Sequence, residues 1–417
     1  MIGLIRNTVP AAVCFAVTIS AAAAFTDNFE TPPEQDPEKV LGKLESGPGY
    51  GVLAPVRSDG YLRNYQIKTD AGVDQISGDG LLKLRIKEIT AFEALKHLDS
   101  EQSFIDGLAE AAKKPADFVS STVTDPLGTA KSTATGVGRL FGRITKGVEQ
   151  AVTGETRSPS ELARIITGQD RARRELAVSL GVDPYTKYQP LAAQLDRAAT
   201  ASTAGNLSVG VLMSMIPGGF VSNIASSAES LKNMVVDSTE AELEERTVQA
   251  LQSARISGPT IKSLQANGNF TPTERAILAY QLQSMTAVEG LEILAARAAE
   301  AKTRAEAYFL LRRIVLTENY NRTVSGLSQV RLVSSFPILL RRDGGSAIIL
   351  PLDMLSWTKE TGAAFSTLSE GLTQLPFPPT GVDFRITGDI TPLAAERLAS
   401  LGWDVIANWP MPEGPVY

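Results

Sequence analysis

Residues 271–306 read TPTERAILAYQLQSMTAVEGLEILAARAAEAKTRAE, and the placing of hydroxyl and carboxylate side chains within them points to a helical fold. Thr271-Pro272-Thr273-Glu274 sets a hydroxyl at an N-cap, a proline in the first turn and a glutamate at the third helical position. Side chains then satisfy amides that the first helical turn leaves unpaired, at ~1 kcal/mol per cap. Thr286…Glu289 and Thr303…Glu306 repeat the spacing, and upstream Thr239…Glu242 and Ser158-Pro159-Ser160-Glu161 do the same. Gly258-Pro259 is expected to close the helix that Thr239 opens. Successive short helices with tight links favour an antiparallel stack, and no side-chain signature recurs between them to mark a solenoid repeat.

On either side of this helical stretch the apolar period changes to that of strands. GVLAPV, YLRNYQIKT and LLKLRIKEIT, between Tyr50 and Thr90, alternate apolar and polar residues around the turn pairs Asp59-Gly60 and Asp79-Gly80, so three strands are expected. Beyond Gly326, VRLVSSFPILLRRDGGSAIILPLDML reads as two strands joined at Asp343-Gly344-Gly345. VDFRIT, a helix capped by Thr391-Pro392 and ended by Gly402, and WDVIANW then make a strand-helix-strand unit. The expected class is therefore α+β, mainly helical. A large central helical domain (92–325) is flanked by a small N-terminal antiparallel β unit (49–91) and a C-terminal β-hairpin plus β-α-β unit (326–417). The two strand-bearing ends are expected to form separate caps in preference to one shared sheet.

Residues 25–48, with four prolines, many acids and few large apolar side chains, read as a flexible linker. Ahead of them MIGLIRNTVPAAVCFAVTISAAAAF carries Arg6, an apolar core from Val9 to Ile19 and the small residues Ala21 to Ala24. That is the layout of a cleavable signal peptide over 1–24, with the cut after Ala24, and it places the mature chain in the bacterial periplasm or outside the cell. Cleavage removes the chain's one cysteine, Cys14, so an exported protein of this size rests on burial and not on disulfides.

The 417 residues hold one His and one Cys, which excludes a multi-histidine zinc site and a cysteine cluster; no metal and no cofactor are expected. A formal charge of −6 argues against nucleic acid as a partner. Catalytic motifs are equally thin. Gly136-Val137-Gly138-Arg139-Leu140-Phe141-Gly142 imitates a dinucleotide loop without a preceding strand, and Gly128-Thr129-Ala130-Lys131-Ser132 lacks the glycine that a phosphate loop needs before its lysine. Ser356-Trp357-Thr358-Lys359 has the S-x-x-K spacing of penicillin-binding enzymes, but no Lys-Thr-Gly follows. His97, with Asp99 nearby, reads as a solvated helix end, and Glu240, Glu242, Glu244 and Glu245 as a solvated N-terminal face. Trp403, Trp409 and Tyr417 read as core before they read as sugar platforms.

Two low-charge segments remain. In 126–148, Val137, Leu140, Phe141, Ile144 and Val148 share a helical face beside Arg139 and Arg143, the pattern of a cationic amphipathic helix that packs in a core or lies on an anionic lipid surface. Within 205–228, Leu212, Met213 and Phe220 belong to an uncharged, small-residue-rich stretch broken by Pro217-Gly218-Gly219. It reads as a buried helical hairpin or a partner-binding one. These side chains are the candidate contacts with an envelope protein or a membrane surface. The expected function is a non-catalytic protein that binds an envelope component; the alternatives are a carboxylate-dependent hydrolase of cell-wall or other polysaccharide, and a structural subunit of an envelope assembly.

Overall fold

The computed structural model describes residues 28–100, 104–106, 109, 159–205, 207–216 and 233–414, with side chains for all of these but 100 and 159–167. The expected signal peptide, the whole of 126–148 and Phe220 lie outside the described residues.

Helices dominate, in an α+β fold, and most of their starts follow the capping chemistry, α2 and α9 having no side-chain cap. Helix α1 (Pro37–Leu41) lies before the first sheet and α2 (Asp79–Lys96) after it. The central series is α3 (Pro159–Ser179), α4 (Gln189–Gly205), α5 (Val209–Met215), α6 (Glu240–Ser253), α7 (Gly258–Ala266), α8 (Pro272–Ser284), α9 (Glu292–Ala299) and α10 (Arg304–Thr323). Reciprocal capping boxes open α6 at Thr239/Glu242 and α8 at Thr271/Glu274. At α10 Thr303 caps the Glu306 amide, while the Glu306 carboxylate accepts from the Lys302 amide at 2.8 Å instead of closing the box.

Two expected boundaries are corrected. Gly258-Pro259 opens a helix: Ser257 caps α7, and the preceding helix has already ended at Ser253, two residues before Arg255, whose φ is 61°. Thr286…Glu289 caps nothing. The Glu289 amide and carbonyl pair with Ser328 and Val330 at the margin of the C-terminal sheet, which pulls this segment out of helical geometry until Glu292. Gly290 allows the approach, because its φ is 74° and a Cβ there would stand 2.3 Å from the Val330 carbonyl oxygen.

The N-terminal sheet runs β1 (Ser46–Gly47), β2 (Tyr50–Ser58), β3 (Arg63–Thr69) and β4 (Gly72–Ser77) in sequence order, all antiparallel. LLKLRIKEIT, expected as the third strand, is the heart of α2. Its alternation has a tertiary cause. Leu82, Ile86 and Ile89 pack with Tyr65, Ile67 and Ile76 of the sheet, while Leu84 enters the helical core on the other side. A helix buried on two sides shows apolar residues at a period that imitates a strand. The third strand is β4, whose burial is confined to Ile76 and its neighbourhood, and so it carries little apolar signal. Residues 28–48 are likewise not free chain. Gln35 bridges Val56, Asp36 caps α1, and the Glu30 carboxylate accepts from the Trp357 amide at 2.5 Å and from the Thr391 hydroxyl. The prolines and acids that suggested a linker are pinned by these bonds.

The C-terminal sheet has strands β5 (Leu327–Val333), β6 (Phe336–Arg341), β7 (Ser346–Leu350), β9 (Val382–Ile386) and β11 (Trp403–Ile406), in the order β11-β9-β7-β6-β5. The three strands β7, β9 and β11 are parallel, and β5, β6 and β7 antiparallel. The expected hairpin at Asp343 and the strand-helix-strand unit through α12 (Pro392–Ser400) both form. A second hairpin, at Ser334-Ser335 with φ of 47° and 67°, divides what reads as one strand. One face of this sheet, through Val330, Leu339 and Ile349, shares the core of α6 to α10. The other, through Ile338, Ile348, Phe384 and Ile386, packs with Trp357, Trp403 and Phe365 of α11 (Lys359–Thr373). The N- and C-terminal sheets are separate, and β8 (Met354–Leu355) pairs in parallel with β10 (Asp389–Ile390) where the two ends meet. Among the described residues no helix is long and apolar enough to cross a membrane.

Candidate functional site

The densest polar constellation lies at that meeting point. Strand β3 turns the Arg63 side chain into the joint, where 6% of it is exposed. Its Nε donates to Gln35 Oε1 at 2.8 Å, Nη1 to Asp79 Oδ2 at 2.7 Å and Nη2 to Asp389 Oδ2 at 2.9 Å. Asp79, the first residue of α2, also accepts from the Tyr65 hydroxyl at 2.6 Å. Behind the guanidinium, Asp353 Oδ2 accepts the main-chain N–H groups of Arg63 and Asp79, both at 3.0 Å. Gly388 seals the far side: a Cβ there would meet the Asp353 carbonyl oxygen at 2.0 Å.

Burial, and next the Asp79 carboxylate, push the Asp353 carboxyl up to about 7. Burial and then Asp79 also raise the Tyr65 phenol. An acid that titrates near neutrality beside a second carboxylate is the raw material of acid-base catalysis. Its placing is wrong for that use. Asp353 is 2% exposed and held by main-chain donors, and Asp79 and Asp389 are both engaged by one guanidinium. The constellation fastens the two ends of the chain together.

The sequence candidates fall in several places. Leu212 is fully buried with Leu176 and Leu195, and the half-buried Met213 packs against the same core. Val137, Arg139, Leu140, Phe141, Arg143, Ile144 and Phe220 are outside the described residues. Ser356 is fully buried, its hydroxyl lacking a partner among the described residues, while Lys359 is exposed at the start of α11, so the S-x-x-K pair offers no accessible nucleophile. His97 is exposed at the end of α2, and the Asp99 carboxylate is engaged by Gln194 at 3.1 Å and Arg197 at 3.1 Å. Glu242 serves its capping box and Glu244 pairs with Arg275. Trp357 and Trp403 are core residues, and Trp409 packs edge-on to Tyr320 with the Arg385 guanidinium 5.3 Å above its ring. Among the described residues no group of three or more His, Cys, Asp or Glu could hold a metal ion.

One surface feature escapes a search for motifs. Phe377 is 89% exposed, in the loop Leu375-Pro376-Phe377-Pro378-Pro379 between α11 and β9. Leu375 packs against the C-terminal core at one end, and at the other the Thr380 amide donates to the Gly344 carbonyl at 3.0 Å. Three prolines fix φ along the loop, so the ring is held in water by a stiff support at little entropic cost. Leaving a phenylalanine in water forgoes roughly 1.5–3 kcal/mol of burial. The sequence signal was an apolar residue with prolines on both sides and no helical or strand partner. Compared with protein-family models, curated proteins and solved structures, the chain matches none.

Proposed function

We propose that this is an exported, non-catalytic protein of the bacterial envelope that binds a partner protein through the Phe377 loop of its C-terminal unit. The observation that carries the reading is the 89% exposure of Phe377 on a proline-stiffened loop anchored at both ends. Aromatic residues that enter a partner's pocket dominate binding energy, and rigidity before binding lowers the ordering cost. At the Arg63 joint Asp79, Asp353 and Asp389 are engaged structurally, so that cluster lends the hydrolase alternative no free carboxylate pair. Export rests on the tripartite start of the sequence, and a structural subunit of an envelope assembly is compatible with the same loop.

The test compares wild-type chain with Phe377→Ser. Fractionation should find the mature protein in the periplasm, beginning at Phe25, and purification from envelope extract should recover one partner at fixed stoichiometry. The variant should keep the wild-type unfolding midpoint and lose the partner. Equal recovery by the variant rejects the loop as the contact.

A further inference from the structure

The hairpin at Ser334-Ser335 is gripped by two arginines from different helices. Arg297 of α9 donates from Nη2 to the Ser335 carbonyl at 2.6 Å, and Arg313 of α10 donates from Nη2 to the Pro337 carbonyl. Arg313 is only 6% exposed, yet no carboxylate stands within ion-pair distance of it among the described residues. Its other support is the face of Phe336, 4.9 Å from the guanidinium carbon. Arg297, 44% exposed, has Glu300 at 3.8 Å on its outer side.

A buried guanidinium without an anion is costly, and two cations at one hairpin add repulsion. Burial, and next the charge of Arg297, lower the Arg313 pKa to about 10. Three other arginines have carboxylates, Arg63 with Asp79 and Asp389, Arg275 with Glu244 and Arg304 with Glu274, whereas the equally buried Arg174 and Arg312 bond main-chain carbonyls. Clamping the turn accounts for one donor on each arginine, and a guanidinium has five. Beside them the exposed Ser335 supplies a hydroxyl with no protein partner among the described residues, and Leu332, 49% exposed, forms an apolar margin.

We propose that Arg297, Arg313 and Ser335 form a subsite for a phosphate group. Two guanidinium forks and a hydroxyl suit the oxygens of a phosphate, and an ion there gives the buried Arg313 the counter-charge that it lacks among the described residues. The subsite is separate from the Phe377 contact and stands or falls without it.

Calorimetric titration of the full chain with inorganic phosphate, at an ionic strength balanced with chloride, tests the proposal. Saturable binding of one phosphate is expected, weakened about tenfold in Arg297→Gln and a few-fold in Ser335→Ala, which keeps both arginines. Arg297→Gln changes a half-exposed side chain, and its unfolding midpoint reports that the fold is intact; Ser335→Ala serves if it is not. Co-sedimentation with phosphatidylglycerol vesicles, against phosphatidylcholine vesicles, distinguishes the sources of the group. Vesicle binding lost in Arg297→Gln assigns a lipid headgroup, and phosphate binding without vesicle binding assigns a soluble phosphate. Heats indistinguishable from the chloride control, or equal affinity in wild type and both variants, overturn the subsite.

Discussion

The Arg63 guanidinium and the Asp389 carboxylate, 326 positions apart in the chain, meet at 2.9 Å. With Asp79 at 2.7 Å on the next nitrogen, they tie the N-terminal sheet to the crossing of β8 and β10, and so make the two ends of the protein one structural unit.

Removing the arginine leaves Asp79 and Asp389 without their cation at the joint. Arg63→Met is expected to lower stability by about 3–5 kcal/mol, the usual result of breaking a buried pair from one side. Asp389, whose side chain is 52% exposed, should cost only about 1 kcal/mol as Asn. Urea unfolding of the two variants checks the ratio, and equal losses would deny that Arg63 is the centre of the joint.

Asp353 gives the joint a pH dependence. Its folded-state pKa, about 7, lies above the ordinary 3.8, so folding takes up a proton in the interval between them. The stability contributed by that proton is fully present below the unfolded value and is lost as pH rises through about 7. Asp353→Asn retains an oxygen to accept the Arg63 and Asp79 amides but has no proton to lose. The variant should show a flatter unfolding midpoint between pH 5 and 8 and surpass wild type at the upper end. Parallel curves would contradict the assignment.

Gly388 and Gly381 form a matched pair. A Cβ at 388 would overlap the Asp353 carbonyl, 2.0 Å away, whereas one at 381 would meet nothing within 4 Å. Gly388→Ala should therefore destabilise by about 1–3 kcal/mol or more, through separation of β8 from β10, and Gly381→Ala by about a tenth of that. Thermal unfolding of both variants decides it.

Thr271 joins two jobs that are usually separate. Its hydroxyl caps the Glu274 amide at 3.1 Å and donates to Asp183 Oδ2 at 2.5 Å, linking the start of α8 to the turn after α3. Thr271→Ala should cost about 2 kcal/mol, more than the ~1 kcal/mol of a cap alone. Thr239→Ala, which removes an exposed box, supplies the comparison by denaturant titration.

What could be read in advance was local chemistry. Thr239, Thr271 and Thr391 announce their helices because the groups involved lie within a few residues of each other. LLKLRIKEIT misled because the burial of Leu82 and Leu84 by different cores depends on what packs against α2. Thr286…Glu289 has the spacing of a cap, but the Ser328 and Val330 backbone claims Glu289 first. The Arg63 joint was invisible for a plainer reason. Asp353 and Asp389 lie 290 and 326 positions from Arg63, and nothing in a charged residue's neighbours says which distant charge it meets. Phe377 was open to reading, since its flanking prolines mark it, but it resembles no catalytic motif.

Binding through the Phe377 loop is tested most directly by a photo-crosslinking amino acid placed at 377 in cells, with the same residue at Val73, 53% exposed on β4, as control. One discrete crosslinked envelope protein from position 377, and none from 73, is the predicted result. No adduct from 377, or the same diffuse set from both positions, would contradict it.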